Sequence, residues 1–388
     1  MPDLGERHTK LYRLSVVVLG ISLAAGALAL LLKGRVNQGR EGEAGISAAT
    51  VRHLEQAVRG DLASPYLWCD LGEVQTEMGQ IEKARHCFRQ AVQLGPRIPP
   101  ILMRAANFHF RLSEPGQALP YTARIMELVP DYDAIIFSYY DRLIPDAGAI
   151  LPHLKGNSRA AYSYFRHLLT SAQAAAADAT WTWLEHSKAT DDRLAGEYLD
   201  FLIRVRRYKE AAHAWAHHLG PRGAGYLTST LLFNGGFESE PTGAVFDWRT
   251  SPVPGVEVSR ESGSAQQGRN ALRISFSGTV NVDYSHVAQT AYIWPGRYRF
   301  RALVRTDGLT TDQGLLFRLF DPESPNRLLV ETEQLRGTND WKSVDTFFAA
   351  PAGTNLITVR ICRSRSRKFD SKVQGTAWID SVSLEPVQ

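Results

Sequence analysis

The chain has 388 residues, long enough for two or three domains, with 44% hydrophobic and 22% charged residues, an ordinary composition for a folded protein. A formal charge of only +4 spread over that length gives no global attraction for nucleic acid, which is excluded as a partner on this ground. The three cysteines, Cys69, Cys87 and Cys362, are an odd number, and their spacing fits neither a closed disulfide framework nor a zinc site, so they are read as small buried hydrophobes.

Residues 1–13 form a short basic tail with Arg7, Lys10 and Arg13. Leu14 to Leu32 is then an unbroken run of apolar and small residues. At about 1.5 Å per residue it spans about 28 Å, close to the hydrocarbon thickness of a bilayer, so residues 14–32 are expected to be a transmembrane helix. A cleavable signal is the rival, with Ala27-Leu28-Ala29 as a cleavage site. Three leucines follow that site and the run is long for a signal, which favours an uncleaved single-pass anchor. Lys33, Arg35 and Arg40 nearly balance the upstream charges, so charge alone does not orient the segment. Residues 33–46 read as a linker.

Residues 47–222 read as an all-α helical repeat. Trp68, Leu71, Gly72, Ala84, Phe88, Ala91 and Pro96 recur as Leu102, Ala105, Ala106, Ala118 and Pro130 about 34 residues later, and Leu54 and Ala57 fall one period earlier. This spacing resembles the tetratricopeptide repeat, with Gln75 departing where that pattern has an aromatic residue. Ala84 and Ala118 are placed where two helices cross, and the prolines end second helices. Pro145 to Gly156 predicts an irregular break. Helices follow over Tyr162 to Ala177 and Ala179 to Ser187, then a last hairpin packs through Ala195, Tyr198, Leu202, Ala211 and Trp215 and stops at Gly220-Pro221. Repeats of this kind present a groove to a protein partner. Here its candidate residues are Tyr66, Cys69, Glu73, Thr76, Met103, Asn107 and Phe110, a mixed set that reads equally well as ordinary surface.

After Gly223-Ala224-Gly225 the period changes to two. Leu272, Ile274 and Phe276; Tyr298, Phe300, Ala302 and Val304; Leu315, Phe317 and Leu319; and Ile357, Val359 and Ile361 each occupy one phase of a short strand. Turn residues separate them, so residues 226–388 are expected to be an all-β sandwich. Asn234-Gly235-Gly236-Phe237-Glu238, Gly268-Arg269-Asn270-Ala271-Leu272-Arg273, Pro295-Gly296-Arg297-Tyr298 and Trp378-Ile379-Asp380-Ser381-Val382-Ser383-Leu384 together resemble the family 4/9-type carbohydrate-binding modules, galactose-binding-like jelly rolls. The resemblance implies a polysaccharide ligand. It also implies a structural Ca²⁺ held by Glu238 and Asp380 with carbonyls of the Gln267-Gly268 loop, which oxygen-only ligation suits. The alternative is that both carboxylates bond backbone at the sheet ends. No other cofactor is implied.

Trp248, Trp341 and Trp378 stand at landmarks where such modules pack, leaving Tyr284, Tyr292 and Trp294 as exposed candidates for stacking on sugar rings. The other strand phase carries Arg299, Arg301, Arg305, Arg318 and Arg360, whose planar forks suit carboxylate or sulfate. On one face they would tilt the ligand toward an acidic glycan. Neutralised by nearby acids, they would be a solvated surface. No Gly-x-Ser-x-Gly, Walker loop, dinucleotide fingerprint or His-x-x-x-His spacing occurs, so no enzyme is expected. The chain is therefore read as multidomain, comprising an anchor, a helical repeat and a jelly roll. It would be a non-enzymatic adaptor of the bacterial inner membrane, with its N-terminus inside and its folded domains outside. By analogy of architecture it would serve exopolysaccharide assembly. A scaffold whose jelly roll binds no sugar is the competing reading.

Overall fold

The structure, a computed structural model, describes residues 48–387. The tail, the Leu14–Leu32 run and the linker lie outside the described residues. Among the described residues no helix is long and apolar enough to cross a membrane. The expected single-pass inner-membrane location is corrected on that finding. The described chain divides into two compact units between Ile125 and Met126, inside the helical stretch.

The first unit holds α1 (Ala48–Gly60), α2 (Pro65–Glu77), α3 (Ile81–Leu94), α4 (Pro99–Arg111) and most of α5 (Pro115–Leu128). Pro65 opens α2 behind the N-cap Ser64, whose hydroxyl accepts from the Leu67 N–H. Ala84, Cys87, Phe88 and Ala91 lie on one face of α3 at helical spacing and are all buried. Gly72 faces that stripe, and a Cβ there would sit 3.0 Å from the Phe88 ring, so the hairpin closes backbone to side chain. Phe88 then stacks on Phe108 of α4 at 4.7 Å. Arg104 of α4 bridges back to Asp70 and Glu73 of α2, both at 2.6 Å.

The second unit begins with α6 (Asp133–Leu143), α7 (Ala147–Leu154), α8 (Ser158–Thr170), α9 (Ala174–His186), α10 (Asp192–Arg204) and α11 (Tyr208–Leu219). Two expectations are corrected. The predicted irregular break contains α7, capped by Asp146 and carrying Pro152 within it. The break between the next helices falls at Ser171–Gln173, where Ala172 takes a φ of +57°, and not at Asp178. Ala195, Tyr198, Leu202, Ala211 and Trp215 are buried as expected, and Gly220 ends α11 at a φ of +52°.

Ten strands follow: β1 (Arg249–Thr250), β2 (Val256–Ser262), β3 (Asn270–Ser277), β4 (Tyr284–Tyr292), β5 (Gly296–Leu309), β6 (Leu316–Phe320), β7 (Leu329–Glu331), β8 (Gly337–Ala350), β9 (Leu356–Arg363) and β10 (Gln374–Val387). They form two five-stranded sheets in the orders β1-β4-β9-β6-β7 and β2-β3-β10-β5-β8, with every pairing between them antiparallel. The inward phases are those expected. Phe300, Ala302, Val304, Ile357, Val359 and Ile361 are fully buried, with Trp248 and Phe237 closing one end of the core. Helices and sandwich of this unit are joined by Arg249–Asp200 at 2.9 Å, Tyr208–Glu323 at 2.5 Å and an edge contact of Trp215 on Phe233.

Candidate functional site

The outer face of the β2-β3-β10-β5-β8 sheet is built mainly by β5, β8 and β10. Because Tyr298, Phe300, Ala302 and Val304 point inward, Arg299, Arg301, Leu303 and Arg305 must point out. On β10, Ala377 and Ile379 are fully buried, which turns Trp378 outward. Trp378 pairs in register with Arg305, and the Arg305 guanidinium lies 4.1 Å from the Trp378 ring centroid and 5.6 Å from that of Trp341 on β8. The Trp378 indole N–H donates to Glu261. Hydrogen bonds from Ser264 and Trp378 hold the Glu261 carboxyl below the usual carboxylate range. Both tryptophans are half-buried, with faces tied to a cation instead of the core.

An open groove of about 490 Å³ continues this face. Its floor is Arg299, Arg301 and Leu303 of β5, and one wall is the bulged part of β10. Arg299 gives both Nε and Nη2 to Asp345 at 3.0 and 2.7 Å and lies over Phe347, itself 62% exposed. Burial raises the Asp345 carboxyl, but hydrogen bonds from Ser343 and Arg299 outweigh it and hold it low. The Arg301 Nε donates to the Ser343 hydroxyl at 3.1 Å.

The other wall is the segment Thr230 to Gly236, which takes up pairing with β10 beyond its bulge at Asp380. Leu231 N–H donates to Leu384 O, and Val382 N–H to Gly235 O. A Cβ at Gly235 would sit 1.9 Å from the Val382 oxygen, so only glycine allows this approach.

The two carboxylates assigned to calcium meet here, but their oxygens face N–H groups. Asp380 is fully buried. Its Oδ2 accepts from the N–H groups of Gln266 and Gln267 at 2.9 and 2.8 Å, and its Oδ1 from Ser381 at 2.6 Å. Glu238 Oε1 accepts from the N–H groups of Arg269 and Asn270. Gly268, at a φ of +73°, lets the loop close on Glu238, and a Cβ there would lie 2.2 Å from Oε1. Burial raises the Glu238 carboxyl, yet those N–H donors prevail and keep it low. The Gln267 side-chain oxygen accepts from the Ser381 hydroxyl at 3.1 Å. Among the described residues no group of three or more His, Cys, Asp or Glu is gathered to hold a metal ion. A Ca²⁺ at this place would have to share the carboxylate oxygens of Asp380 and Glu238 with these N–H groups.

The other expected residues are dispersed. Tyr284 is fully buried in the sandwich core, because its place opposite Phe276 puts it on the inward phase. It is removed from the stacking candidates. Trp294 is 43% exposed and Tyr292 half-buried, adjacent at 6.1 Å at the start of β5, the end opposite Arg305. The arginines do not share one face. Arg318 and Arg360 face each other in register on the other sheet, Arg318 paired with Glu331 and Arg360 over the Phe320 ring at 4.7 Å.

In the helical groove set, Phe110 and Cys69 are buried within the hairpins and leave the candidate surface. Glu73 is held by Arg104, and Thr76 donates to the Gly72 carbonyl. Met103 and Asn107 are half-buried and Tyr66 is 48% exposed.

Trp341 and Trp378, read from the sequence as packing residues, stand half-buried on the outer face against Arg305. The signal for Trp378 was its strand phase, between two small or aliphatic inward residues.

No family model matches the chain, and no curated protein matches it. Solved structures similar to it cover its C-terminal part. A family 61 carbohydrate-binding module in complex with β-1,4-galactotriose is 20% identical, aligned over 100% of its own length and 41% of this chain, with a TM-score of 0.30. A family 4 carbohydrate-binding module is 13% identical over 99% of itself and 40% of this chain, with a TM-score of 0.31. The xylan-binding domain of Paenibacillus barcinonensis Xyn10C is 14% identical over 92% of itself and 40% of this chain, with a TM-score of 0.28. The three structures named are carbohydrate- or xylan-binding modules, and the chain is assigned to no family among them.

Proposed function

We propose that the sandwich is a non-catalytic polysaccharide-binding module, that its site is the outer face of the β2-β3-β10-β5-β8 sheet, and that the tetratricopeptide-like hairpins dock a protein partner. The observation that carries the first part is the Trp341–Arg305–Trp378 cluster standing on the solvent side of the sheet beside an open groove. Indole faces held by a cation cannot rearrange freely, and pyranose C–H faces stack on aromatic surfaces without needing charge. Ser343 and Ser383 beside them supply hydroxyl partners for sugar hydroxyls. The docking part is supported by the exposed Tyr66 on a hairpin whose charged neighbours are already paired.

The scaffold reading keeps one observation in its favour. Helices α10 and α11 are tied to the sandwich through Asp200–Arg249 and Tyr208–Glu323, so the β-domain also serves as a packing partner. Affinity electrophoresis of the full chain separates the two readings. Retardation by a soluble polysaccharide should weaken in Trp378→Ala and Trp341→Ala by about 1–3 kcal/mol each, with melting temperature nearly unchanged. No retardation of the wild-type chain by any charged or neutral polysaccharide would leave the scaffold alone.

A further inference from the structure

We infer that the ligand of this face is an anionic glycan and that Arg301 and Arg305 read its charges, an inference that rests on the polysaccharide reading above. The arginines of the face sort by what they already hold. Arg299 commits two N–H groups to Asp345, and Arg273 lies 3.6–3.7 Å from Glu257 and Glu261. Arg301 donates only its Nε, to the neutral Ser343 hydroxyl, and among the described residues it forms no ion pair with a carboxylate. Arg305 likewise makes no ion pair with a carboxylate there and is held by the two ring faces, with Glu261 near enough to feel its charge.

A guanidinium stacked on indole keeps its in-plane N–H edge directed outward, and that edge is the one that binds carboxylate or sulfate with two parallel hydrogen bonds. Three acids on the same surface are already engaged, Asp345 by Arg299 and Ser343, Glu238 by backbone N–H groups and Glu261 by Trp378, while Glu385, opposite Arg299 in register, also lines the groove. Arg301 and Arg305 stand four residues apart on one strand face, about 13 Å at ~3.3 Å per residue. Leu303, nearly buried, lies between them as an apolar floor. A sugar ring seated on Leu303 would therefore have a fork on each side. A neutral glycan would cover both guanidiniums without supplying an acceptor of matching charge, which is costly.

The test is affinity electrophoresis of the full chain in gels containing a polyuronate, a sulfated glucan or an uncharged glucan. The expected result is retardation by a charged polymer that falls as NaCl is raised, and about tenfold weaker retardation for Arg301→Gln and for Arg305→Gln. Arg305→Lys, which keeps the charge but not the fork, should lie between. Retardation by the polyuronate alone assigns carboxylate, and by the sulfated polymer alone assigns sulfate. Arg301 is exposed, so Arg301→Gln should fold whatever becomes of the stacked position. Retardation by the uncharged glucan alone, or charged retardation untouched by both substitutions, overturns the anionic inference and leaves the polysaccharide reading standing. Absence of retardation in all three gels removes both.

Discussion

Asp380→Asn probes the junction between the Thr230–Gly236 segment, the Gln266–Gln267 turn and the last strand. The wild-type carboxylate is fully buried and accepts three backbone N–H groups at 2.6–2.9 Å. Hydrogen bonds to a charged acceptor contribute about 1.5–3 kcal/mol each, and an amide turns one oxygen into a donor. Whichever way the amide is turned, at least one N–H then faces an NH₂, and the rest face a neutral oxygen. A loss of about 3–5 kcal/mol follows, because an unmet buried donor adds its own desolvation cost. For a unit of this size that lowers the melting temperature by roughly 10 °C. Near-ultraviolet circular dichroism of the full chain, which reports the core Trp248, should be followed on heating with calcium and with chelator. The wild-type midpoint should be the same in both. A drop of less than about 2 °C in Asp380→Asn, or a chelator-induced drop in the wild type, would refute the hydrogen-bonded clasp, and the second result would restore calcium as its keystone.

Three further outcomes are expected. Burial pushes the thiol of Cys69 up to about 12 and those of Cys87 and Cys362 to about 11, so an aromatic disulfide reagent at pH 8 should label none of the three until denaturant is added. Hydrogen bonding from Arg222, joined by His218, lowers the Asp192 carboxyl from 3.8 to about 2. A depressed folded value means stability that is present above pH 4 and lost as pH falls toward 2, so acid titration of the melting temperature should be steeper in the wild type than in Asp192→Asn over that window. Ala84→Leu overfills the crossing of α2 and α3 and should cost about 1–3 kcal/mol in chemical denaturation, against less than about 0.5 kcal/mol for the exposed Lys83→Leu.

Strand phase was readable because a two-residue period leaves no ambiguity once one inward residue is known. Tyr298, Phe300, Ala302 and Val304 stand where alternation puts them. The rule gives no phase for the strand of Tyr284, where a phenolic hydroxyl points to exposure, yet the ring fills the core against Phe276. The rule was not applied at Trp378, where a landmark reading outweighed the inward neighbours Ala377 and Ile379. Sheet membership was beyond reach. Nothing local tells that Arg305 and Arg318 lie on different sheets, because that depends on pairings between strands far apart in sequence. The short β1 and β7 carry too few residues to show a period. In the helices, Pro152 suggested a break, yet it lies in the last turn of a short helix capped by Asp146, which loses one backbone bond at Pro152 and ends two residues later. The positive φ of Ala172, which separates α8 from α9, has no glycine to announce it.

The pairing of Thr230 with Leu384 joins positions 154 residues apart. On a ribosome, the helical hairpins can close as each emerges, since their partners are neighbours in sequence. The sandwich cannot. The Leu231–Gly235 segment is extruded with its peptide groups unmatched, and it must wait for about 150 further residues before Val382 and Leu384 arrive. Assembly of this half is thus a late event governed by distant contacts, and for that interval an unsatisfied strand edge is presented to chaperones and to other nascent copies. The segment that walls the groove in the finished molecule is, during synthesis, the place where the chain is most open to mispairing.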